Sequence, residues 1–258
     1  MRRIAALLAA VFVASLALAQ TPPADPRRSG YADMAPAVRA MQDDDAANPA
    51  MLWVAEGRAL WSKPEGTAGA ACATCHGVAE RSMTGVAARY PAWAPAAGAP
   101  ATLERRVGLC RELHQGRPAD APGEARARLA LLAYVALQSR GLPISPPADR
   151  RLDDARAAGE ALFERRLGQL NLACAHCHSD NDGRRLAGAA IPQAHPTAYP
   201  LYRLEWQDLG SLQRRLRNCV VGIRAEPWPA DDPHWVALEL HLTHRARGMT
   251  LEAPGVRP

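Results

Sequence analysis

The chain of 258 residues is 48% hydrophobic, which is enough to bury the cores of two ordinary domains and argues against disorder throughout. Its formal net charge is +5, and its 31 basic side chains include a single lysine, Lys63. So many arginines favour forked binding of oxyanions, although a codon bias toward Ala, Arg and Pro would give the same excess. The basic residues are dispersed and match no nucleic-acid-binding motif, so a nucleic acid is excluded as a partner.

The N-terminal segment predicts export. Arg2 and Arg3 precede an apolar stretch from residue 4 to about residue 16, and Ala17-Leu18-Ala19 follows. These are the parts of a cleaved signal peptide, and the apolar stretch is too short to span a bilayer. Segment 1–19 is therefore predicted to direct the protein to the periplasm, with no membrane span in the mature chain.

Hydrophobic periodicity and end signals predict four helices. They lie near 36–41, over 51–60, from Leu103 to Cys110 with Thr102 as N-cap, and over 126–139. Residues 77–100 are dense in Gly, Pro and Ala, which predicts an irregular segment.

The two halves of the chain repeat the same order of features. Gly57 begins a Gly-x-Ala-Leu-aromatic string ahead of Cys72, and Gly159 begins another at the same distance ahead of Cys174. Each half then has a Cys-x-x-Cys-His motif, a lone cysteine and a helix that ends in Arg-Gly. Such a repeat predicts an all-α fold of two homologous cytochrome c-like haem domains with long irregular loops. The predicted segments are an N-terminal arm (20–48), a first domain (49–145) and a second domain (146–258).

The motifs at Cys72–His76 and Cys174–His178 have the attachment signature of c-type haem. The two thiols add to the haem vinyl groups, and the histidine binds the iron. A zinc site would bring two cysteine pairs together, and a thioredoxin-like site would need a βαβ context, which is missing. Two covalent haem c groups are therefore expected, with His176 facing solvent. The attachment residues would be Cys72, Cys75, Cys174 and Cys177, and the first iron ligands His76 and His178.

The motif leaves the sixth iron ligand of each haem open. Candidates of the usual ligand types are Met83, Met249, His114 and His195. The lone cysteines Cys110 and Cys219 are the third option, because each occurs once per repeat in an equivalent place. A disulfide between these two cysteines is the alternative in an oxidising compartment.

Cys219 has more positive charge around it than Cys110. The flanking residues are Arg214, Arg215, Arg217 and Arg224. Arg215 precedes Cys219 by four residues, so on a helix the two side chains share a face. Nearby guanidinium groups would lower the pKa of the thiol and would bind an oxyanion. Cys219 is therefore the predicted reactive centre.

Four long irregular strings carry a resemblance to a known family: Gly168–His178, Gly188–Pro196, Tyr199–Arg203 and Val221–Pro227. In these strings the chain resembles the SoxA family, the larger haem subunits of the SoxAX cytochromes of bacterial sulfur oxidation, in their two-haem form. The likeness covers nearly the whole mature chain.

The resemblance implies an enzyme, an L-cysteine S-thiosulfotransferase. It would join thiosulfate to a cysteine of the SoxYZ carrier protein and pass two electrons to a cytochrome c. A small single-haem cytochrome, SoxX, would be its partner subunit.

The resemblance also implies roles for residues. The axial ligands would be His76 and Cys110 for the first haem, and His178 and Cys219 for the second. Cys219 would be catalytic as well, because in this family the equivalent cysteine can carry an extra sulfur. Arg215 and Arg245 would bind substrate, with Arg247 as the fallback for Arg245.

Two other functions compete with this interpretation. A two-haem electron carrier that catalyses nothing predicts Met or His ligation and no sulfur adduct at Cys219. A haem peroxidase would need an open iron with a base beside it, and His195 is the only candidate for that base.

Overall fold

The computed structural model describes residues 25–258, so the predicted signal peptide lies outside the described residues. Helices dominate: α1 (Pro36–Asp43), α2 (Ala50–Ser62), α3 (Cys72–His76), α4 (Ala79–Ser82), α5 (Leu103–Cys110), α6 (Glu124–Leu137), α7 (Asp153–Glu164), α8 (Cys174–His178), α9 (Leu212–Gly222) and α10 (Pro233–Arg245). Short 3-10 turns lie at Ala87–Arg89 and Arg150–Leu152, and a π-helical turn at Arg111–Gln115. No helix in the described part is both long and apolar enough to cross a membrane.

Short strands form three small sheets. They are β1 (Ala92–Ala94) with β2 (Ala99–Ala101), β3 (Arg185–Leu186) with β4 (Ala189–Ala190), and β5 (Leu201–Arg203) between β6 (Asp208–Gly210) and β7 (Gly255–Arg257). The all-α prediction is therefore right only in part. Strands of two or three residues, several of them rich in Ala, are too short to show a polar and apolar alternation in the sequence.

The four predicted helices are confirmed, with ends that differ by a few residues. Thr102 is the N-cap of α5, because its Oγ1 accepts a hydrogen bond from the Arg105 backbone N–H at 3.1 Å. Ser211 caps α9 in the same way and accepts from the Arg214 N–H. The lone cysteines Cys110 and Cys219 thus lie near the ends of two helices that begin alike.

Each half is built on two helices that cross at a glycine. α2 packs on α6 at Gly57, where a Cβ would lie 2.1 Å from the Ala130 carbonyl oxygen. α7 packs on α10 at Gly159, where a Cβ would lie 1.9 Å from the Ala237 oxygen. The backbones approach this closely because glycine has no side chain. The predicted repeat is therefore present as two similar helix pairs.

The halves join through the segments that follow α6 and α10. The Ile144 N–H donates to the Met249 oxygen at 2.8 Å, and the Gly248 N–H donates to the Ile144 oxygen at 2.8 Å. The N-terminal arm contacts both halves: Gln42 Oε1 accepts from the Val256 N–H at 2.9 Å, and Asp45 pairs with Arg140 at 2.6 Å. A cavity of about 70 Å³ remains between the halves, lined by Glu104 of α5 and Glu239 of α10.

Replacing Gly159 with Ala is expected to lower the free energy of unfolding by about 1–3 kcal/mol, because α7 must move away from α10. Urea unfolding of the haem-loaded protein measures this loss. Gly222→Ala is the control, since a Cβ at that position of α9 meets no atom within 4 Å. Equal unfolding midpoints for the two variants would contradict the close crossing.

Burial, together with the nearby Glu104, raises the pKa of Glu239 from 4.5 to about 8. The folded protein therefore binds more protons than the unfolded chain between these two pH values, so its stability falls as pH rises through that window. In Glu239→Gln this fall is expected to be smaller, by at most about 1.4 kcal/mol per pH unit. Urea midpoints across the window measure it, with exposed Glu226→Gln as the control. An unchanged pH profile in Glu239→Gln would refute the shifted pKa.

Candidate functional site

Both haem motifs form short helices with the same kind of cap. In α3 the Ala71 N–H donates to Thr74 Oγ1 at 3.3 Å, and in α8 the Ala173 N–H donates to His176 Nδ1 at 3.0 Å. His176 is half-buried, so the solvated position predicted for it is replaced by a structural one. This hydrogen bond ties the His176 ring to the first turn of α8, so His176 does not compete with His178 as a metal ligand.

The first motif opens into a cavity of about 470 Å³, which is the size of a ligand pocket. The motif cysteines and His76 line it together with apolar side chains that include Trp61, Leu103, Val107, Leu131 and Val135. Cys110 lines the same cavity, and so do Met83 and His114. Two thiols, an imidazole and an apolar wall fit haem c. All six cysteines are free, so the structure does not contain the alternative Cys110–Cys219 disulfide.

A buried ion-pair cluster fixes the chain directly after Cys110. The Arg111 side chain is 1% exposed, and it pairs with Glu124 at 2.6 Å and with Glu65 at 2.9 Å. Its Nη1 also donates to Gln115 Oε1 at 2.9 Å, which closes the π-helical turn. The residue after Cys219 is Val220, which cannot form such a cluster. Both stretches then reach the surface, since Leu113 is 58% exposed and Val221 is 53% exposed.

Arg106 and Arg215 hold equivalent positions, four residues before each lone cysteine. Arg106 lines the first cavity together with Tyr90. In the second half, burial raises the pKa of Tyr199 to about 12 against the opposing effect of the nearby Arg215. Sequence reasoning missed these tyrosines. The available signal was a Tyr-Pro pair that lies at the same distance before the helix N-cap in both halves.

His178 is held in the orientation that an iron ligand needs. Its Nδ1 lies 2.7 Å from the Pro192 carbonyl oxygen, a hydrogen bond that leaves Nε2 free for a metal. Burial lowers the pKa of His178, and Arg215 and Arg245 lower it further. Burial also lowers the pKa of His76. Both imidazoles therefore favour the neutral form that binds metal ions. The sequence does not predict a role for Pro192, because every residue has a backbone carbonyl oxygen and the residue type does not show which one is used.

Cys219 is half-buried in the last turn of α9, close to the second motif. Burial, with a further effect of Cys219, raises the pKa of the Cys174 thiol to about 11. Two of the flanking arginines are engaged elsewhere, since Arg214 pairs with Asp208 and Arg217 donates to the Trp228 oxygen. In the part of the chain that the structure describes, Arg215 has no carboxylate partner. Its charge is therefore free to act on an anion near Cys219.

Arg245 lies in the second site but on the side of His178. Both residues line a cavity of about 260 Å³, which Cys219 does not line. The Arg245 guanidinium stacks on the Phe163 ring at 4.6 Å, and its Nη2 donates to the Gln193 oxygen at 3.3 Å. Burial lowers the pKa of Arg245. The fallback residue Arg247 points elsewhere, because its Nη2 donates to Pro146.

The remaining candidate ligands of the second site have other partners. His195 lines the cavity beside His178, and its Nδ1 lies 2.9 Å from the Arg28 carbonyl oxygen. Met249 packs in the apolar contact between the halves. These positions do not favour the Met or His ligation that a non-catalytic electron carrier predicts at this site, because Met249 packs between the halves and the N-terminal arm holds His195.

Comparison with a protein family also divides the chain into two segments, one in each half. The model of the SoxA/TsdA cytochrome c domain matches residues 56–144 and 158–251. The L-cysteine S-thiosulfotransferase subunit SoxA of Rhodovulum sulfidophilum is 35% identical over 90% of this chain and 81% of its own length. The subunit of the same name from Pseudaminobacter salicylatoxidans is 36% identical over 91% of this chain and 82% of its own. A crystal structure of SoxXA from P. pantotrophus superposes with a TM-score of 0.83 at 30% identity, covering 90% of this chain and 87% of that chain.

Proposed function

Since the chain belongs to the SoxA family of c-type cytochromes, we propose that it is the haem-bearing subunit of a periplasmic L-cysteine S-thiosulfotransferase. The observation that carries the proposal is a half-buried Cys219 beside Arg215, a cation without a carboxylate partner among the described residues. The names of the curated relatives support it, because each is a subunit of such an enzyme.

Two covalent haem c groups are part of the proposal. They would be attached at Cys72 and Cys75 in the first half and at Cys174 and Cys177 in the second. The axial pairs would be His76 with Cys110, and His178 with Cys219. Neutral imidazoles and the shared cavity of His76 and Cys110 support these pairs. When bound, the haem supplies an acceptor for electrons next to sulfur.

In the proposed reaction, a carrier cysteine thiol and thiosulfate form a cysteine S-thiosulfonate. One S–S bond forms, one proton leaves the thiol, and two electrons pass on to a cytochrome c. The carrier cysteine would belong to SoxYZ, and SoxX would be the partner subunit. A structural neighbour that is a SoxXA complex supports this pairing.

Within this reaction, Cys219 would offer its sulfur to the substrate as both ligand and catalytic residue. Arg215 would hold the anionic oxygens of thiosulfate, because guanidinium groups bind such oxygens in forked pairs. Arg245 would add positive charge to the same site from the side of His178. Both arginines lower the pKa of His178, which supports the proposal that their charges act on the same site.

Replacing Cys219 with Ala is expected to abolish thiosulfate-dependent reduction of cytochrome c, since the reacting sulfur is lost. Stopped-flow absorbance with SoxX and SoxYZ present measures the rate. Val221→Ala, a change at an exposed neighbour in the same helix, is the control and should retain turnover. Mass spectrometry of the native protein should show a removable extra sulfur on the Cys219 peptide. Full activity of Cys219→Ala would refute the proposed function.

Replacing Arg215 with Ala is expected to lower kcat/KM for thiosulfate by about 10- to 100-fold, the usual effect of losing a charged hydrogen bond. Arg217→Ala is the control, because among residues 25–258 the side chain of this exposed neighbour hydrogen-bonds only to a backbone oxygen. Steady-state kinetics of the two variants measure the difference. Equal losses in both would mean that general surface charge, and no specific contact, attracts the anion.

A further inference from the structure

The second repeat is longer than the first between the haem motif and the Tyr-Pro pair. The stretch from Cys177 to Tyr199 contains more residues than the equivalent stretch from Cys75 to Tyr90. The extra residues lie in segment 179–198, here named the support loop, which contains strands β3 and β4 and the residue Pro192. The carbonyl that orients His178 is therefore supplied by a segment that is longer in the second half.

The start of the N-terminal arm, residues 25–30, lies on the support loop and is here named the strap. Arg28 Nη1 pairs with Asp182 at 2.9 Å, and the Arg28 N–H donates to Gln193 Oε1 at 2.8 Å. The Arg28 carbonyl oxygen lies 2.9 Å from His195 Nδ1. The strap therefore contacts the support loop on both sides of Pro192, although the two segments are far apart in sequence.

Gln193 joins these contacts at the residue next to Pro192. Its Nε2 donates to Asp182 Oδ2 at 3.0 Å, while its Oε1 accepts from the strap. Its backbone oxygen accepts from Arg245. A shift of Gln193 would therefore move the Pro192 carbonyl relative to His178.

The strap also bounds the cavity beside His178. Pro26 and Arg27 line that cavity together with His178 and Arg245. Arg27 Nη1 donates to the backbone oxygens of Arg245 and Arg247, both at 2.9 Å. These are carbonyls at the C-terminal end of α10, where a cation is stabilising. The end of α10 and the support loop are thus held by the same short segment.

We propose that the strap, through Gln193, is a positioning element that keeps the Pro192 carbonyl on His178 Nδ1 and so tunes the second haem. The inference rests on the His178 ligation of the proposed function. A hydrogen bond at Nδ1 makes the imidazole a stronger donor to iron, which favours the oxidised state. The strap contacts the loop of the second repeat beside His178, so the effect is confined to one haem.

The test is a spectroelectrochemical titration of the haem-loaded complex. Gln193→Ala and Arg28→Ala are expected to raise the midpoint potential of the second haem and to leave that of the first unchanged. Arg28→Lys, which keeps the charge beside Asp182, should restore part of the original value. Arg140→Ala is the matched control, because it breaks the pair with Asp45 in the same arm, away from His178.

Equal potentials in Gln193→Ala and the native protein, with both proteins folded, would overturn the proposal. A similar shift in Arg140→Ala, or in both haems, would also overturn it, because the strap would then act only through general stability. The thiosulfate activity of Cys219→Ala is measured separately. The strap and the proposed function can therefore fail independently.

Discussion

The close crossing of two helices at a glycine is the constraint on which both halves depend. Gly57 and Gly159 let α2 and α7 approach the backbones of α6 and α10, where a Cβ would lie only 2.1 Å and 1.9 Å from a carbonyl oxygen. A haem motif begins at the same distance in sequence after each glycine. In the first half, a cavity lined by the motif, by Leu131 and Val135 of α6 and by Cys110 forms next to this crossing.

From this common frame the two sites differ at the residue after the lone cysteine. In the first half, Arg111 is almost fully buried and is bonded to two carboxylates. A buried charge is tolerated only when it is paired in this way, so the π-helical turn after Cys110 is tied to the protein interior. In the second half Val220 occupies that place and needs no polar partners. The contrast is therefore one of chemistry: a charged cluster holds the chain after Cys110, and an apolar contact holds the chain after Cys219.

The features that sequence predicts best are those that local chemistry determines. A helix cap needs a hydroxyl such as that of Thr102, and it leaves a short signature that the structure confirms. Haem attachment, which stays a prediction, leaves a signature of two thiols and an imidazole at a set spacing. Helical periodicity alone predicts that Arg215 lies near Cys219, and both residues lie in α9. The all-α prediction was incomplete, since three-residue strands leave no period to detect.

The features that sequence could not predict depend on contacts between distant segments. Arg245 takes its position from Phe163 and Gln193, which belong to α7 and to the support loop. The role of Pro192 depends on a backbone oxygen, and the contacts of Arg28 join segments that are far apart in the chain. Residue types predict which chemistry is present, but only the fold shows which side of the site each group occupies.

The proposed function places different requirements on Cys219 and on His178. In the proposed function, a carrier protein would have to reach the sulfur of Cys219. The same proposal requires His178 to keep one orientation, because it would hold the iron from the other side. The structure places its long-range contacts on the opposite side: the support loop, the strap and the end of α10 converge on His178. These contacts support His178 without covering Cys219, which is the arrangement that the proposed function requires.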